Sequence, residues 1–346
     1  DVQPLAARMQ PFANTRWDVE PPGASPPGHE SGADKDNIKP ARLSDVLGQG
    51  RQATLQETEQ AIRDAAAFQP EWDRIGGAAR AAMLEQAADR MESNFAELMA
   101  LAAREAGKTP HDAVSEIREA VDFLRYYALQ ARKHFDAPMS LPGPTGEHNE
   151  LGLHGKGVFA CISPWNFPLA IFTGQVSAAL ASGNTVLAKP ADQTPAIAAY
   201  AVRLLHEAGV PRAALQFIPG RGSVVGAKMT SDPRIAGVAL TGSMDTAHRI
   251  NRSLADRDAP LAAFIAETGG QNAMLVDSSA LPQQVVMDVI RSAFHSAGQR
   301  CSALRVLYVQ EDVADRIMAL LAGAMKQLVI GRPWLLSTDI GPVIDG

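Results

Sequence analysis

Cysteine is scarce in this chain of 346 residues: only Cys161 and Cys301 are present, far apart in sequence. That scarcity argues against a disulfide framework and leaves room for a reactive thiol. An excess of basic residues is also missing. The 32 Lys and Arg face 38 Asp and Glu, a net charge of −6, which offers no electrostatic footprint for nucleic acid or an anionic membrane surface. No apolar run approaches the roughly 20 residues that span a bilayer. The start, Asp1-Val2-Gln3-Pro4, has neither the basic nor the apolar region of a signal peptide. A soluble, cytoplasmic protein is expected. What is abundant is apolar residue, 46% of the chain against 20% charged. That excludes wholesale disorder and suffices for one sizeable core, with room for a second.

Residues 1–50 are rich in Pro, Gly, Ser and charge, with Pro21-Pro22-Gly23 and Pro26-Pro27-Gly28 close together, so a linker or surface arm is expected there. From Leu55 to Phe135 the pattern is helical. Leu84, Met91 and Leu98 fall on one stripe that Gly107 is placed to end, and Val114, Ile117, Val121, Leu124 and Ala128 mark a further helix. Between Ala137 and Lys156 the rhythm breaks at Pro138, Pro142, Gly143, Pro144 and Gly146, as a projecting hairpin requires. Short apolar runs at 157–162, 184–188, 214–218 and 235–240 then alternate with helical patterns near 170–182, 194–208, 222–230 and 245–255. This is the cadence of repeated βαβ units, predicting a mostly parallel sheet buried on both faces. Runs at 273–276 and 304–309, with helices near 284–297 and 312–329, open a second α/β domain.

Several residues could carry chemistry. Cys301 lies in Gly298-Gln299-Arg300-Cys301-Ser302, between a predicted helix and strand; a free thiol is only a few per cent thiolate at neutral pH, and the adjacent Arg300 could supply positive potential. Taken alone, such a cysteine reads more often as a small buried apolar residue. Glu267 ends a short apolar run before Thr268-Gly269-Gly270, where a carboxylate can reach a crevice and act as general base on water, or simply cap the strand. Asn166, in Ser163-Pro164-Trp165-Asn166-Phe167-Pro168, has an amide able to donate to a developing oxyanion, or sits in a merely rigid turn. For a nucleotide the chain offers Gly220-Arg221-Gly222-Ser223-Val224-Val225-Gly226, one residue longer than the dinucleotide fingerprint. Lys189 and Asp192 after the second run, and Thr241-Gly242-Ser243 after the fourth, fall at the carboxyl ends of strands, where open α/β sheets bind ligands. Asp192 would repel a 2′-phosphate, favouring NAD over NADP. No metal site is expected.

Taken together, Pro164-Trp165-Asn166-Phe167-Pro168, Lys189-Pro190-Ala191, Thr241-Gly242-Ser243, Glu267-Thr268-Gly269-Gly270 and Gly298-Gln299-Arg300-Cys301 resemble the aldehyde dehydrogenase superfamily in order and spacing. Within it, Arg104 to Thr109, Arg118 to Tyr127, Cys161 to Phe172 and Asp339 to Asp345 look closest to the Δ1-pyrroline-5-carboxylate dehydrogenase module of bifunctional proline-oxidising enzymes. The resemblance runs from about residue 50 to the end. It implies a Rossmann-type NAD-binding domain over 51–136 and 157–266, an oligomerisation hairpin at 137–156, and the start of an α/β catalytic domain at 267–346. The implied activity is oxidation of L-glutamate γ-semialdehyde to L-glutamate in proline catabolism, through a Cys301 thiohemiacetal and thioester. Asn166 and the Cys301 backbone N–H would hold the oxyanion and Glu267 would activate water. NAD would lie on Ile162, Ser163, Pro164, Trp165, Lys189, Asp192, Gly222, Gly226, Thr241, Gly242, Ser243, Thr268 and Gly269. Arg300 and Ser302 would meet the substrate's carboxylate, and Glu119 its ammonium. A homo-oligomer is implied, as is a proline dehydrogenase domain upstream in a longer parent chain.

The sequence departs from the family pattern in three places. Ala247 stands where a glycine is common, Asp192 is one methylene shorter than the usual Glu, and Gly346 precedes the Glu-x-Phe segment that positions the nicotinamide ribose in the family. The alternatives are a dehydrogenase for another semialdehyde and a catalytically incomplete NAD-binding fragment.

Overall fold

In the computed structural model, which describes residues 2–21 and 34–345, the first stretch of chain carries regular structure despite its composition. Helix α1 (Val2–Met9) runs into a 3₁₀ turn (Gln10–Phe12), and β1 (Asp34–Lys39) pairs antiparallel with β2 (Arg42–Arg51). Trp17, Val19 and Leu47 are buried. The Trp17 indole N–H donates to Glu97 Oε1 at 3.0 Å, and the Arg104 guanidinium lies 4.8 Å over its ring. The expectation of a bare arm over 1–50 is therefore corrected. Tertiary burial of a few apolar side chains outweighs a local composition hostile to regular structure. Of the two Pro-rich tripeptides, only Pro21 lies within the described residues.

A capping box starts α2 (Leu55–Arg74): Glu57 N–H donates to Thr54 Oγ1 at 3.1 Å and Thr54 N–H to Glu57 Oε2 at 2.8 Å. Three helices follow, α3 (Gly77–Ser93), α4 (Phe95–Glu105) and α5 (Pro110–His134). Leu84, Met91 and Leu98 are fully buried on one stripe, as read, but the stripe spans two helices. The chain breaks at Asn94, whose side-chain amide donates back to the Arg90 carbonyl at 2.8 Å, an alternative that asparagine offers a helical backbone. Gly107 follows the end of α4 with φ +66°, a left-handed position that suits glycine. Within 137–156, β3 (Met139–Leu141) and β4 (Asn149–Leu151) form an exposed antiparallel hairpin.

The central sheet is assembled from β5 (Val158–Ile162), α6 (Ala170–Ala181), β6 (Thr185–Lys189), α7 (Pro195–Glu207), β7 (Leu215–Phe217), α8 (Ala227–Ser231), β8 (Ile235–Thr241), α9 (Met244–Ala255) and β9 (Ala263–Glu267). Its five strands are parallel in the order β7-β6-β5-β8-β9. Side chains alternate between two cores. Cys161, Val186, Ala188 and Ala239 face the helices α3 to α7, whereas Val158, Ala160, Leu187, Val238 and Leu240 face α2, α8 and α9. β6, buried at every position, shows why these runs are unbroken rather than alternating. The edge strand β9 is open over Ile265 to Glu267.

Beyond it, β10 (Asn272–Val276), α10 (Pro282–Phe294), a 3₁₀ turn (His295–Gly298), β11 (Leu304–Val309) and α11 (Glu311–Met325) form one further βαβα unit. Its two strands are parallel, around a small core of Val276, Val285, Val289, Leu304 and Ile317. The segment after it crosses Gly107 so closely that a Cβ on Gly341 would lie 2.2 Å from the Gly107 carbonyl oxygen. No helix among the described residues is long and apolar enough to cross a membrane.

Candidate active site

All five strands of the central sheet end on one edge. The strand order reverses between β5 and β8, so a crevice opens there between the turns that follow these two strands. After β5, Ser163 N–H donates to the Lys189 carbonyl at 3.1 Å, and the chain then turns through Pro164, Trp165, Asn166 and Phe167. The turn is tied down at its far end. Glu116 of α5, buried to 1% exposure, accepts the N–H groups of Leu169 and Ala170 at 2.9 Å each, at the start of α6, where a carboxylate complements the free donors and positive dipole end of a helix.

The Asn166 amide donates to the Gln299 carbonyl at 2.9 Å, two residues before Cys301. An amide nitrogen carries two protons, so one remains to point at a bound group. Cys301 is exposed on the turn that leads into β11. The reading of this cysteine as a small buried residue is thereby excluded, and Cys161 fits that description instead. Asn272, at the start of β10, donates to the carbonyls of Cys301 at 2.6 Å and Ala303 at 3.0 Å. A Cβ on Gly270 would lie 3.8 Å from the Cys301 carbonyl oxygen, so the loop from Glu267 to Asn272 runs against the thiol's turn. Glu267 itself ends β9 opposite Thr241. Its carbonyl accepts Gly242 N–H at 3.0 Å and its residue is exposed. The Asn166 turn and the loop that follows Glu267 thus both run against the turn that carries Cys301.

The residues expected to hold a dinucleotide occupy the same edge. Lys189 is 4% exposed and its ammonium donates to the Pro190 carbonyl at 2.8 Å and to Asp192 Oδ1 at 3.0 Å. Cβ atoms on Gly222 and Gly226 would lie 4.0 Å from its Cε and Cδ, so bare glycine backbone faces the lysine stem. Thr241 Oγ1 accepts from Gln175 Nε2 at 3.0 Å, and Ser243 caps α9 by accepting Thr246 N–H at 3.2 Å. Around Gly269, a Cβ would meet nothing within 4 Å. Side-chain-free backbone, a buried cation, a carboxylate and a capped helix start at one strand edge fit a dinucleotide. One detail is corrected. Instead of an ordinary helix start, Gly222–Gly226 makes a wide π turn ahead of the five-residue α8. Ala247, where glycine is common, is buried in the core under α9.

Of the three expected substrate residues, one is bonded elsewhere. Ser302 is exposed beside Cys301. Arg300 folds back, donating through Nη2 to the carbonyls of Arg291 at 2.9 Å and Ser292 at 2.6 Å, at the end of α10, a favourable seat for a cation. Glu119 stands on α5 one turn after Glu116. Desolvation and the Glu116 carboxylate raise its pKa, against the opposing pull of Lys108. Four residues at the site escaped the sequence reading of roles: Lys108, Gln175, Asn272 and Ser296. A lysine between Gly107 and the Thr109 helix cap was a usable signal for the first. The others are ordinary polar residues whose partners are distant in sequence.

An open α/β sheet whose carboxyl edge brings an amide donor and a carboxylate-bearing loop against the turn of an exposed thiol, beside a buried lysine faced by glycine backbone, defines the class. The sequence profile described as the aldehyde dehydrogenase family matches residues 29–346. The chain belongs to the aldehyde dehydrogenase family. It is 49% identical over 345 residues to the bifunctional protein PutA of Salmonella typhimurium, covering 99% of this chain and 25% of that protein. To the 1-pyrroline-5-carboxylate dehydrogenase of Anoxybacillus flavithermus it is 38% identical over 312 residues, 89% of this chain and 60% of that one. The solved structure of an R100A mutant of Thermus thermophilus 1-pyrroline-5-carboxylate dehydrogenase matches with a TM-score of 0.91 at 31% identity, over 99% of this chain and 67% of the other. The chain therefore spans about a quarter of the PutA relative's length and three fifths of the dehydrogenase's. The family resemblance and the fold class read from the motifs are both borne out.

Proposed function

We propose that the chain carries NAD-dependent oxidation of L-glutamate γ-semialdehyde, the open form of Δ1-pyrroline-5-carboxylate, to L-glutamate. The observation that carries this reading is the hydrogen bond from the Asn166 amide to Gln299 O, two residues before the exposed Cys301. Similarity to proteins named as 1-pyrroline-5-carboxylate dehydrogenases and as PutA supports the choice of aldehyde. The Cys301 thiolate attacks the aldehyde carbon, and the Asn166 amide with the Cys301 N–H binds the oxygen that becomes negative. Lys189, Asp192, the Gly222–Gly226 turn and Ser243 would hold the dinucleotide, which would supply the hydride acceptor as the adduct becomes a thioester. Glu267 then takes a proton from water, which attacks the thioester carbonyl and releases the acid from Cys301. The exposed position of Glu267 at the β9 end leaves it open to that water.

The Asp192 carboxylate, paired with the Lys189 ammonium, would repel an additional phosphate on the ribose, which favours NAD over NADP. Glu119 offers a carboxylate for the substrate's ammonium, with Ser302 and the backbone of its turn on the carboxylate side. Residues 51–136 and 157–266 act as the nucleotide-binding part and 267–346 as catalytic. The hairpin strands β3 and β4, with Met139, Leu141 and Leu151 between 40 and 50% exposed, serve assembly into a homo-oligomer. In the parent protein a proline dehydrogenase unit supplies the substrate, and the charge balance suits a cytoplasmic setting.

The decisive experiment follows reduction of NAD by the full-length protein with pyrroline-5-carboxylate and, separately, succinic semialdehyde, and repeats both with NADP. Preferential turnover of the first substrate with NAD is expected. Preference for succinic semialdehyde would assign the site to a different semialdehyde, and dinucleotide binding without turnover would leave only a nucleotide-binding role.

A further inference from the structure

We propose that Lys108 is a positioning residue that sets the oxyanion amide against the thiol, a role that rests on the dehydrogenase reading above. Lys108 is 4% exposed, in the short link between α4 and α5. Its ammonium has three protons and three oxygens around it: the Asn166 carbonyl at 2.6 Å, Ser296 Oγ at 3.0 Å and Glu116 Oε2 at 3.4 Å. The charge also lies 4.7 Å over the Phe167 ring. A buried ammonium persists only when it is paired and hydrogen-bonded in this way.

These acceptors belong to different parts of the site. Asn166 is the oxyanion donor, Glu116 caps the helix that follows it, and Ser296 lies in the turn that leads to Cys301. That turn does not hold its own shape cheaply. Ser296 and Ala297 have φ of 55° and 56°, followed by Gly298 at 68°, and a left-handed conformation is unfavourable for a residue with a side chain. Lys108 fastens the first residue of this strained turn to the carbonyl of the very residue whose amide must meet the thiol. The direct bond from Asn166 to Gln299 then closes a ring of contacts: Lys108, Asn166, Gln299, and back along the turn to Ser296. The ammonium holds no contact with Cys301 or Glu267 and acts through Asn166 and the turn.

The test uses the full-length protein with Lys108→Met, Ser296→Ala, Asn166→Ala and the two double variants that combine each of the first two with Asn166→Ala. For each, kcat, KM for the aldehyde, NAD affinity and the melting temperature are measured. Lys108→Met is expected to lower kcat about 100-fold, the scale of a misplaced oxyanion donor, with NAD affinity unchanged within about twofold. In the Asn166→Ala background the same substitution is expected to cost less than about threefold, because residues acting through one another are not additive. Ser296→Ala is expected to lower kcat about fivefold, with the same dependence on Asn166. Lys108→Met leaves the Glu116 charge buried without its partner, so if that variant fails to fold the Ser296 cycle decides. Losses that multiply independently of Asn166, or that fall on NAD affinity rather than kcat, would overturn the proposal. Absence of aldehyde turnover in the unsubstituted protein would overturn the dehydrogenase reading and this role with it.

Discussion

The central sheet and the β10–β11 pair are built from the same strand-helix-strand unit, yet they bury their strands very differently. β6 is enclosed at every position between two cores, whereas Leu275 of β10 is 80% and Tyr308 of β11 60% exposed beside one small core. The two cysteines report the same contrast. Cys161, inside β5, donates to the Gln175 carbonyl at 3.6 Å, and burial pushes its thiol up to about 12. Cys301, on the turn before β11, is exposed. Since only the thiolate attacks, environment alone separates an inert thiol from a usable one. The difference also shows how the site is made. The proposed amide donor stands on the well-packed sheet and the proposed nucleophile on the lighter unit, joined by the bond from Asn166 to the Gln299 carbonyl.

Replacing each thiol tests this contrast most strongly. Cys301→Ala is expected to reduce aldehyde oxidation by more than about 10⁴-fold, as loss of a covalent nucleophile does. Cys161→Ala should keep turnover within about twofold while costing about 1 kcal/mol of stability for the small cavity it leaves. Steady-state rates and urea unfolding of both variants measure this, and loss of activity on changing Cys161 would break the comparison.

Packing supplies the next test. Arg80 is 1% exposed, and its guanidinium donates to the carbonyls of Trp72 and Ala181 at 3.1 Å and of Asp73 at 2.7 Å. Burial lowers its pKa against the pull of Asp73 and Asp136. Arg80→Met strands three buried acceptors and is expected to cost about 3 kcal/mol. On the lighter unit, the exposed Arg305 donates to the Gly298 carbonyl at 2.9 Å, and Arg305→Met should cost less than about 1 kcal/mol. Equal losses in denaturant titrations would show the two regions to be equally tight.

The third contrast is a pH dependence confined to the larger region. Glu105 is fully buried, accepts the N–H groups of Ala196 at 2.7 Å and Ile197 at 2.8 Å and a bond from Asn37, and burial pushes its carboxyl up to about 7. Its folded pKa lies above the unfolded one. Its stabilising contribution is therefore complete below the unfolded value and is lost as pH rises through the folded one. Stability should fall between about pH 5 and about pH 7 by up to about 1.4 kcal/mol per unit, and Glu105→Gln should remove that slope. A slope unchanged by the substitution in melting curves recorded across this range would assign it to other groups.

Much of this was legible before any coordinates. The strands from β5 to β8 were readable because a parallel strand covered on both faces needs an unbroken apolar run, and Gly, Asn and Pro punctuate its ends. Asn166, Glu267 and Cys301 were readable as candidates because each lies in a compact motif at the end of an apolar run. The break at Asn94 was hidden, since one apolar stripe continues across it. The packing of Trp17 and Leu47 was hidden by the proline-rich stretch between them. Arg300 was misplaced because adjacency to Cys301 in sequence says nothing about which way a long side chain folds, and α10 offers it free carbonyls.

Residue order along the chain therefore settles the βαβ cadence and nominates the glycine-rich turn and the candidate reacting groups, because each rests on periodicity or on neighbours within a few positions. Only the fold decides which thiol is exposed, which cation is spent on a helix end, and that Lys108, Asn166 and Ser296 share one set of hydrogen bonds. Those outcomes depend on burial and on contacts between residues up to 188 positions apart, and such contacts exist only once the sheet has closed and the chain has crossed back over its edge.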